Sequence, residues 1–200
     1  MTEKLHHPTV ELVARAALPT RHGSFEMHVF ADAAGAEHVA LTVGEVGDGA
    51  PVLARLHSEC LTGDVFGSHR CDCGEQLALS MGMLQAARRG VLLYLRQEGR
   101  GIGLANKIRA YALQEQGLDT VDANRALGLP DDMRDYQGAA EVLHSLGVSQ
   151  IALITNNPAK IAGLERHGVQ VVERVPLHIA PNHHNLPYIA AKRERMGHLG

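Results

Sequence analysis

No apolar run in this chain exceeds five residues, the longest being Val91–Leu95, which argues against a transmembrane helix. Glu3, Glu11 and Arg15 interrupt the N-terminal stretch, which argues against the apolar core of a secretory signal. Gly and Pro number 21 and 8 of 200 residues, too few for a low-complexity chain. Neither sign of charge dominates: 19 Lys and Arg against 22 Asp and Glu leave a net −3. A nucleic-acid coat would be strongly basic, whereas an anionic small molecule needs only a local cluster of cations. Cysteine is scarce, odd in number and confined to residues 60–73, so a disulfide framework is the weaker reading. The expectation is a cytoplasmic globular protein with no nucleic-acid and no membrane partner. At 200 residues, one domain fits better than two.

What is present alternates in period. Ser24–Phe30, His38–Val46 and Pro51–Ser58 have strand composition, and Gly47-Asp48-Gly49 predicts an antiparallel turn between the last two. Gly74–Arg89 has helical character and stops at Gly90. Beyond it, strands are expected at Val91–Arg96, Gln150–Thr155 and Val169–Val175. Helices are expected at Leu104–Gln116, Ala139–Leu146 and Pro158–Arg166, the last opened by an Asn157 cap and Pro158. Leu118–Tyr136 carries five Asp residues and is long for a connection, which marks it as functional. The tail reads as irregular from Pro176 through Asn185, then helical to about Met196. The fold class is therefore mixed α/β: a single domain with an antiparallel N-terminal half and an α/β C-terminal half. Residues 1–23 are read as a lead-in to a catalytic domain over 24–200.

Cys60, Cys71 and Cys73 form C-x10-C-x-C. Clustered thiols of this kind point to metal or nucleophilic chemistry. Three thiolates leave a tetrahedral zinc one position short, the pattern of a catalytic rather than a closed structural site. Water on such a zinc ionises near neutral pH. Two plainer readings stay open: a closed site with His57 or His69 as fourth ligand, and three thiols without metal. His57-Ser58-Glu59 also spells the H-x-E of zinc deaminases. The P-C-x-x-C completing that signature is replaced here by Arg70-Cys71-Asp72-Cys73. A zinc-dependent nucleobase or nucleotide deaminase is the alternative enzyme class.

Two strand-to-helix junctions offer places for an anion. Gln97–Gly103, with three glycines, lets backbone N–H groups approach an anion at a helix N-terminus. It is neither a Walker A nor a dinucleotide fingerprint, and Arg100 tilts it from a plain turn toward an anion site. Thr155–Lys160 places polar groups at a strand's C-terminal end, where open α/β sheets bind ligands. Taken alone, that segment reads rather as a capped helix with a solvated Lys. Together with the thiol cluster, the two junctions point to a phosphorylated substrate.

Arg55–Asp64 and Arg70–Leu77 resemble the signature of the GTP cyclohydrolase II family, which opens riboflavin biosynthesis. The resemblance continues at Arg96–Leu104, Lys107–Tyr111, Asp119–Asn124, Asp132–Tyr136 and Thr155–Lys160, and reaches the tail at Asn182–Asn185 and Lys192–His198. It implies GTP as substrate, with formate, pyrophosphate and a diaminopyrimidine ribosyl phosphate as products. It further implies one Zn2+ per chain on Cys60, Cys71 and Cys73, Mg2+ with the triphosphate, and a homodimer. Substrate contacts are implied for Arg55, Leu56, His57, Ser58, Glu59, Gln76, Glu98, Gly99, Arg100, Thr120, Thr155 and Lys160. Asp132 is implied as proton acceptor, Arg134 as nucleophile at the α-phosphate, and Tyr111 as neighbour of the metal-bound water. A guanidinium is almost never neutral, so a nucleophilic Arg134 needs an adjacent base, which Asp132 could supply. Electrostatic stabilisation of the phosphoryl group is the alternative role for Arg134. For Tyr111 the plain reading is a core aromatic beside Leu104, Ile108 and Leu113. Family members that release an incompletely processed product form a further alternative.

Overall fold

A computed structural model describes residues 10–130 and 132–199 of the chain. Strands β1 (Val10–Thr20), β2 (Gly23–Asp32), β3 (Glu37–Val43), β4 (Val52–Ser58), β5 (Gly90–Leu95), β6 (Gln150–Ile154) and β7 (Gln170–Val175) form one mixed sheet. Their spatial order is β1-β2-β3-β5-β4-β6-β7. β5 runs antiparallel to β3 on one side and parallel to β4 on the other, so it joins the antiparallel half to the parallel half. The division expected from the sequence is the one the sheet has.

The hairpin expected between His38–Val46 and Pro51–Ser58 does not form, because β5 lies between β3 and β4. Burial explains this. Val52, Ala54 and Leu56 are fully buried, and Arg55 and His57 nearly so, so β4 needs cover on both faces, as interior parallel strands do. The Gly-Asp-Gly segment bends locally, and its Asp48 pairs with Arg89 at the entrance to β5. Two further corrections follow. Residues 10–20, read as part of a lead-in, form β1 against β2; residues 1–9 lie outside the described residues. The stretch 118–136, read as irregular, contains a helix whose N-cap Asp119 accepts from the Val121 and Asp122 N–H groups.

The helices are α1 (Leu61–Asp64), α2 (Cys73–Ala87), α3 (Gly103–Glu115), α4 (Thr120–Ala126), α5 (Gln137–Ser145), α6 (Pro158–Arg166) and α7 (Leu186–Met196). One core joins α5 and α6 to Val52, Ala54 and Leu56 of β4; a second joins Met81 and Leu84 of α2 to Leu92 and Leu53. Alternation along β4 therefore sends Leu56 into the first core and turns Arg55 and His57 toward the α2 side. The connection from β4 to β5 is a crossover carrying α1, α2 and all three cysteines. The C-terminal ends of β4, β5 and β6 thus meet at one edge of the sheet, where parallel α/β sheets place their ligands.

Candidate active site

A cavity opens at that edge and encloses about 1090 Å3, open solvent at its mouth included. The crossover supplies one end of it. Cys60 sits at the N-cap of α1 and Cys73 opens α2, with Cys71 two residues before it. The three sulfurs lie within 4.8 Å of one another, Cys60 and Cys71 at 3.6 Å. Tetrahedral zinc with Zn–S bonds of about 2.3 Å needs sulfurs roughly 3.8 Å apart, so the group fits zinc. Gly63 keeps the space open: a Cβ there would stand 2.8 Å from Cys71 Sγ and 3.3 Å from Cys60 Sγ. Among the described residues no His, Asp or Glu joins the three sulfurs, so neither His57 nor His69 closes the group. Hydrogen bonds from Cys71 and Cys73, with the charge of Lys107, hold the Cys60 thiol far below its usual range. Its sulfur in turn pushes Cys71 up to about 11.

Cys60 is braced on two sides. Asp64 Oδ2 accepts from the Cys60 N–H and from the Tyr94 hydroxyl, each at 2.9 Å. His57 Nε2 lies 3.0 Å from both oxygens of Asp64, and both side chains are 3% exposed. Burial pushes the His57 pKa down against the pull of Asp64, so the neutral ring donates from Nε2. Its Nδ1 is left without a protein partner. On the other side, Lys107 Nζ donates to Cys60 Sγ at 3.1 Å and to Glu98 Oε1 at 2.9 Å. The second oxygen of Glu98 accepts from the Leu61 N–H at 2.7 Å. The H-x-E pattern of a deaminase is not realised, because His57 turns to Asp64 and Glu59 pairs with Arg96 at 3.0 Å.

The opposite wall is cationic. Gly99 and Arg100 both adopt left-handed backbone, at φ 63° and 62°, a conformation uncommon outside glycine. The Arg100 carbonyl accepts from the Met133 N–H at 3.1 Å, which ties the glycine-rich turn to the loop bearing Arg134. Arg134 grips Asp132 through Nε at 2.9 Å and Nη2 at 2.5 Å, and its Nη1 reaches Ser58 Oγ at 3.5 Å. Burial raises the Asp132 pKa, but Arg134 outweighs it and holds the carboxyl below its usual range. Lys160 is buried and donates to the Leu56 carbonyl at 2.6 Å. Burial, then the charges of Arg55, Arg134 and Lys192, push its pKa well below normal. Arg55 donates to the Ile154 carbonyl and to Gln76 Oε1, and Gln76 donates onward to Asp72 at 2.6 Å. Burial lowers the Arg55 guanidinium to about 10, still charged at neutral pH.

The structure brings most of the sequence-predicted residues to this one cavity. Arg55, His57, Ser58 and Glu59 line it from β4 and the residue after it, and Gln76 and Thr120 line it from helices. Glu98, Gly99, Arg100 and Arg134 line it from turns, and Thr155 and Lys160 from the end of β6 and the start of α6. The Leu56 side chain does not reach it; that residue is fully buried in the core and offers only its carbonyl, to Lys160. Asp132 meets the cavity through Arg134. Tyr111 lines the cavity instead of packing in a core, since Leu104 and Ile108 are 38% and 46% exposed. The Arg70 guanidinium lies 4.6 Å from its ring centroid, and burial pushes the phenol up to about 12. Sequence reasoning assigns no role to Asp64, Tyr94 and Lys107, or to Tyr188, Lys192 and His198 in the tail, although Asp64, Lys107, Lys192 and His198 stand in segments that resemble the family. Of these, Lys107 carried a usable signal, standing one helical turn before Tyr111.

Residues 11–176 match the sequence profile of GTP cyclohydrolase II. The GTP cyclohydrolase-2 of Neisseria gonorrhoeae is 56% identical over 199 residues, covering 100% of this chain and 98% of the relative. That of Azotobacter vinelandii is 58% identical over 192 residues, covering 96% and 92%. The riboflavin biosynthesis protein RibBA of Salinispora tropica is 58% identical over 192 residues, covering 95% of this chain and 48% of the relative.

Proposed function

The chain belongs to the GTP cyclohydrolase II family, and from that premise we propose that it hydrolyses GTP to formate, pyrophosphate and a diaminopyrimidine ribosyl phosphate, within riboflavin biosynthesis. The observation that carries this reading is that three sulfurs and a cationic wall share one cavity. The purine ring goes to the sulfur end and the phosphates to the cations.

Cys60, Cys71 and Cys73 would hold a zinc ion, which when bound supplies a Lewis acid for hydrolysis at the purine C8. Asp64 and Lys107 fix the Cys60 sulfur from opposite sides. The Tyr111 hydroxyl orients the ring or the attacking water with one hydrogen bond. Arg134 attacks the α-phosphorus: an N–P bond forms, the bond to the departing pyrophosphate oxygen breaks, and the guanidinium proton passes to Asp132; water then cleaves the N–P bond, its oxygen staying on the 5′-phosphate and a proton returning to Arg134. Asp132 is suited to that role because it already accepts from the same guanidinium. Arg100 and Lys160 stabilise the departing pyrophosphate, which as part of the substrate carries Mg2+ on its oxygens. Arg55, Gln76, Thr120 and Thr155 offer further polar contacts along the walls.

Incubating the zinc-loaded protein with GTP and Mg2+ and resolving the products by mass tests this. Formate, pyrophosphate and the diaminopyrimidine are expected. Ammonia without formate would make the protein a deaminase, and unconsumed GTP would overturn the proposal.

A further inference from the structure

The tail from Tyr188 to His198 lies outside residues 11–176, the span matched by the family profile, yet three of its side chains line the cavity. Three contacts hold it there, and a fourth closes its helix. Lys192 Nζ donates to Asp72 Oδ1 at 2.9 Å, and Arg195 donates to Asp119 Oδ2 at 2.5 Å. The Leu199 N–H donates to the Asn156 carbonyl at 2.8 Å, and the His198 N–H closes α7 on the Lys192 carbonyl at 3.1 Å. Asp72 stands between Cys71 and Cys73 and Asn156 follows β6, so α7 bridges the crossover and the anion-side junction.

We propose that this segment is a wall of the substrate's polyphosphate site, with Lys192 as a phosphate-binding residue and Tyr188 as the spacer that aims it. Lys192 is 14% exposed at its side chain, so its charge is directed inward. Its Nζ lies 4.3 Å from the Tyr188 ring centroid, and the Arg100 guanidinium approaches the same ring at 6.0 Å. Two cations thus approach one aromatic ring, and all three side chains line the same cavity. His198 reports the same crowding. Burial, followed by Lys192, Arg100, Arg134 and Lys160, drives its imidazole down to about 4. Carboxylates oppose two of those four cations, Asp72 on Lys192 and Asp132 on Arg134. Crowding like charges in a half-enclosed cavity is costly unless an anion joins them. A polyphosphate, carrying several negative charges on a short chain, matches that array. The neutral His198 adds a hydrogen-bonding edge without further charge.

This inference deepens the GTP reading and rests on it. The test uses the full-length zinc-loaded protein and inorganic tripolyphosphate as probe. Lys192→Met is expected to weaken tripolyphosphate binding about tenfold or more, as loss of a charge-assisted hydrogen bond does. It should raise KM for GTP by a larger factor than it lowers kcat, and Lys192→Arg should restore most of the affinity. A merely structural α7 would instead lower the melting temperature and leave the tripolyphosphate affinity of the folded fraction unchanged. A second measurement needs no variant. Tripolyphosphate should slow amide hydrogen exchange across residues 186–199, and sulfate at equal ionic strength should not. Equal tripolyphosphate affinity in wild type and Lys192→Met, or exchange in the tail unmoved by tripolyphosphate, overturns the proposal. Wild-type protein that binds tripolyphosphate through Lys192 but leaves GTP intact would sink the GTP reading alone.

Discussion

Asp64 meets His57 with both carboxylate oxygens, each 3.0 Å from Nε2. One of those oxygens also accepts from the Cys60 backbone, so a single buried carboxylate sets the ring tautomer and the position of the first sulfur. Asp64→Asn keeps the volume but loses the charge and one acceptor. The expected cost is about 2 kcal/mol, or roughly 4–8 °C in melting temperature. Zinc affinity, measured by competition with a chromogenic chelator, should fall with it. A variant matching wild type in both would separate Asp64 from the sulfur group.

Gly63 owes its role to size. Its backbone φ is ordinary, but an added Cβ would meet Cys71 Sγ at 2.8 Å and Cys73 Cβ at 3.0 Å. Gly63→Ala should fold, because α1 tolerates alanine, and should bind zinc at least about tenfold more weakly as the sulfurs are pushed apart. Unchanged zinc content after dialysis against a chelator would show that the sulfurs yield at no cost.

The two ends of the cavity should be separable in function. Cys60→Ser replaces a thiolate with an oxygen that stays protonated at neutral pH, so it should release pyrophosphate from GTP without formate. Tyr111→Phe keeps the ring and loses the oxygen, and a positioned donor lost from a dry site costs about 10²-fold in rate. Quantifying both products from each variant checks the pair. Formate at the wild-type rate from either would reassign that residue.

Acid should destabilise the fold earlier than its carboxylates alone would. Burial depresses the folded-state pKa of His57 and, to about 4, that of His198. Unfolded histidine takes up its proton near 6.5, so between that pH and the folded values the unfolded chain binds more protons. Stability therefore declines as pH falls from about 6.5 toward 4. Urea midpoints across that range should show the decline, and His198→Gln should reduce it. A flat profile in wild type would mean that neither ring is buried in solution.

How much of this was legible depended on distance along the chain. The sulfur group could be read because its members lie within one crossover, and the α6 start because Asn157-Pro158 is a local signal. β1 could not: as an edge strand it leaves Leu12 and Val13 at 49% and 59% exposure, so no alternation marks it. The Gly-Asp-Gly turn reports a bend at residues 47–49 but not which strand lies beyond it, and β5 takes that place. The α4 cap at Asp119 was within reach of local rules, hidden among other Asp residues of the same loop. The segment Lys192–His198 resembles the family, but the pairing of Lys192 was out of reach, since its partner Asp72 is 120 positions away.

The same difference in distance imposes an order on assembly. All three cysteines fall between two strands that pair directly, β4 and β5, whereas the anion wall draws on residues from Arg55 to His198. Short loops close at little entropic cost and distant contacts form late. The segment bearing the three sulfurs is therefore local in sequence, although β4 is covered on its second face only by α5 and α6. The cavity is walled on all sides only once α7 and the residues after it bring Tyr188, Lys192 and His198 to it, so the integrity of the site is tied to the end of the described chain.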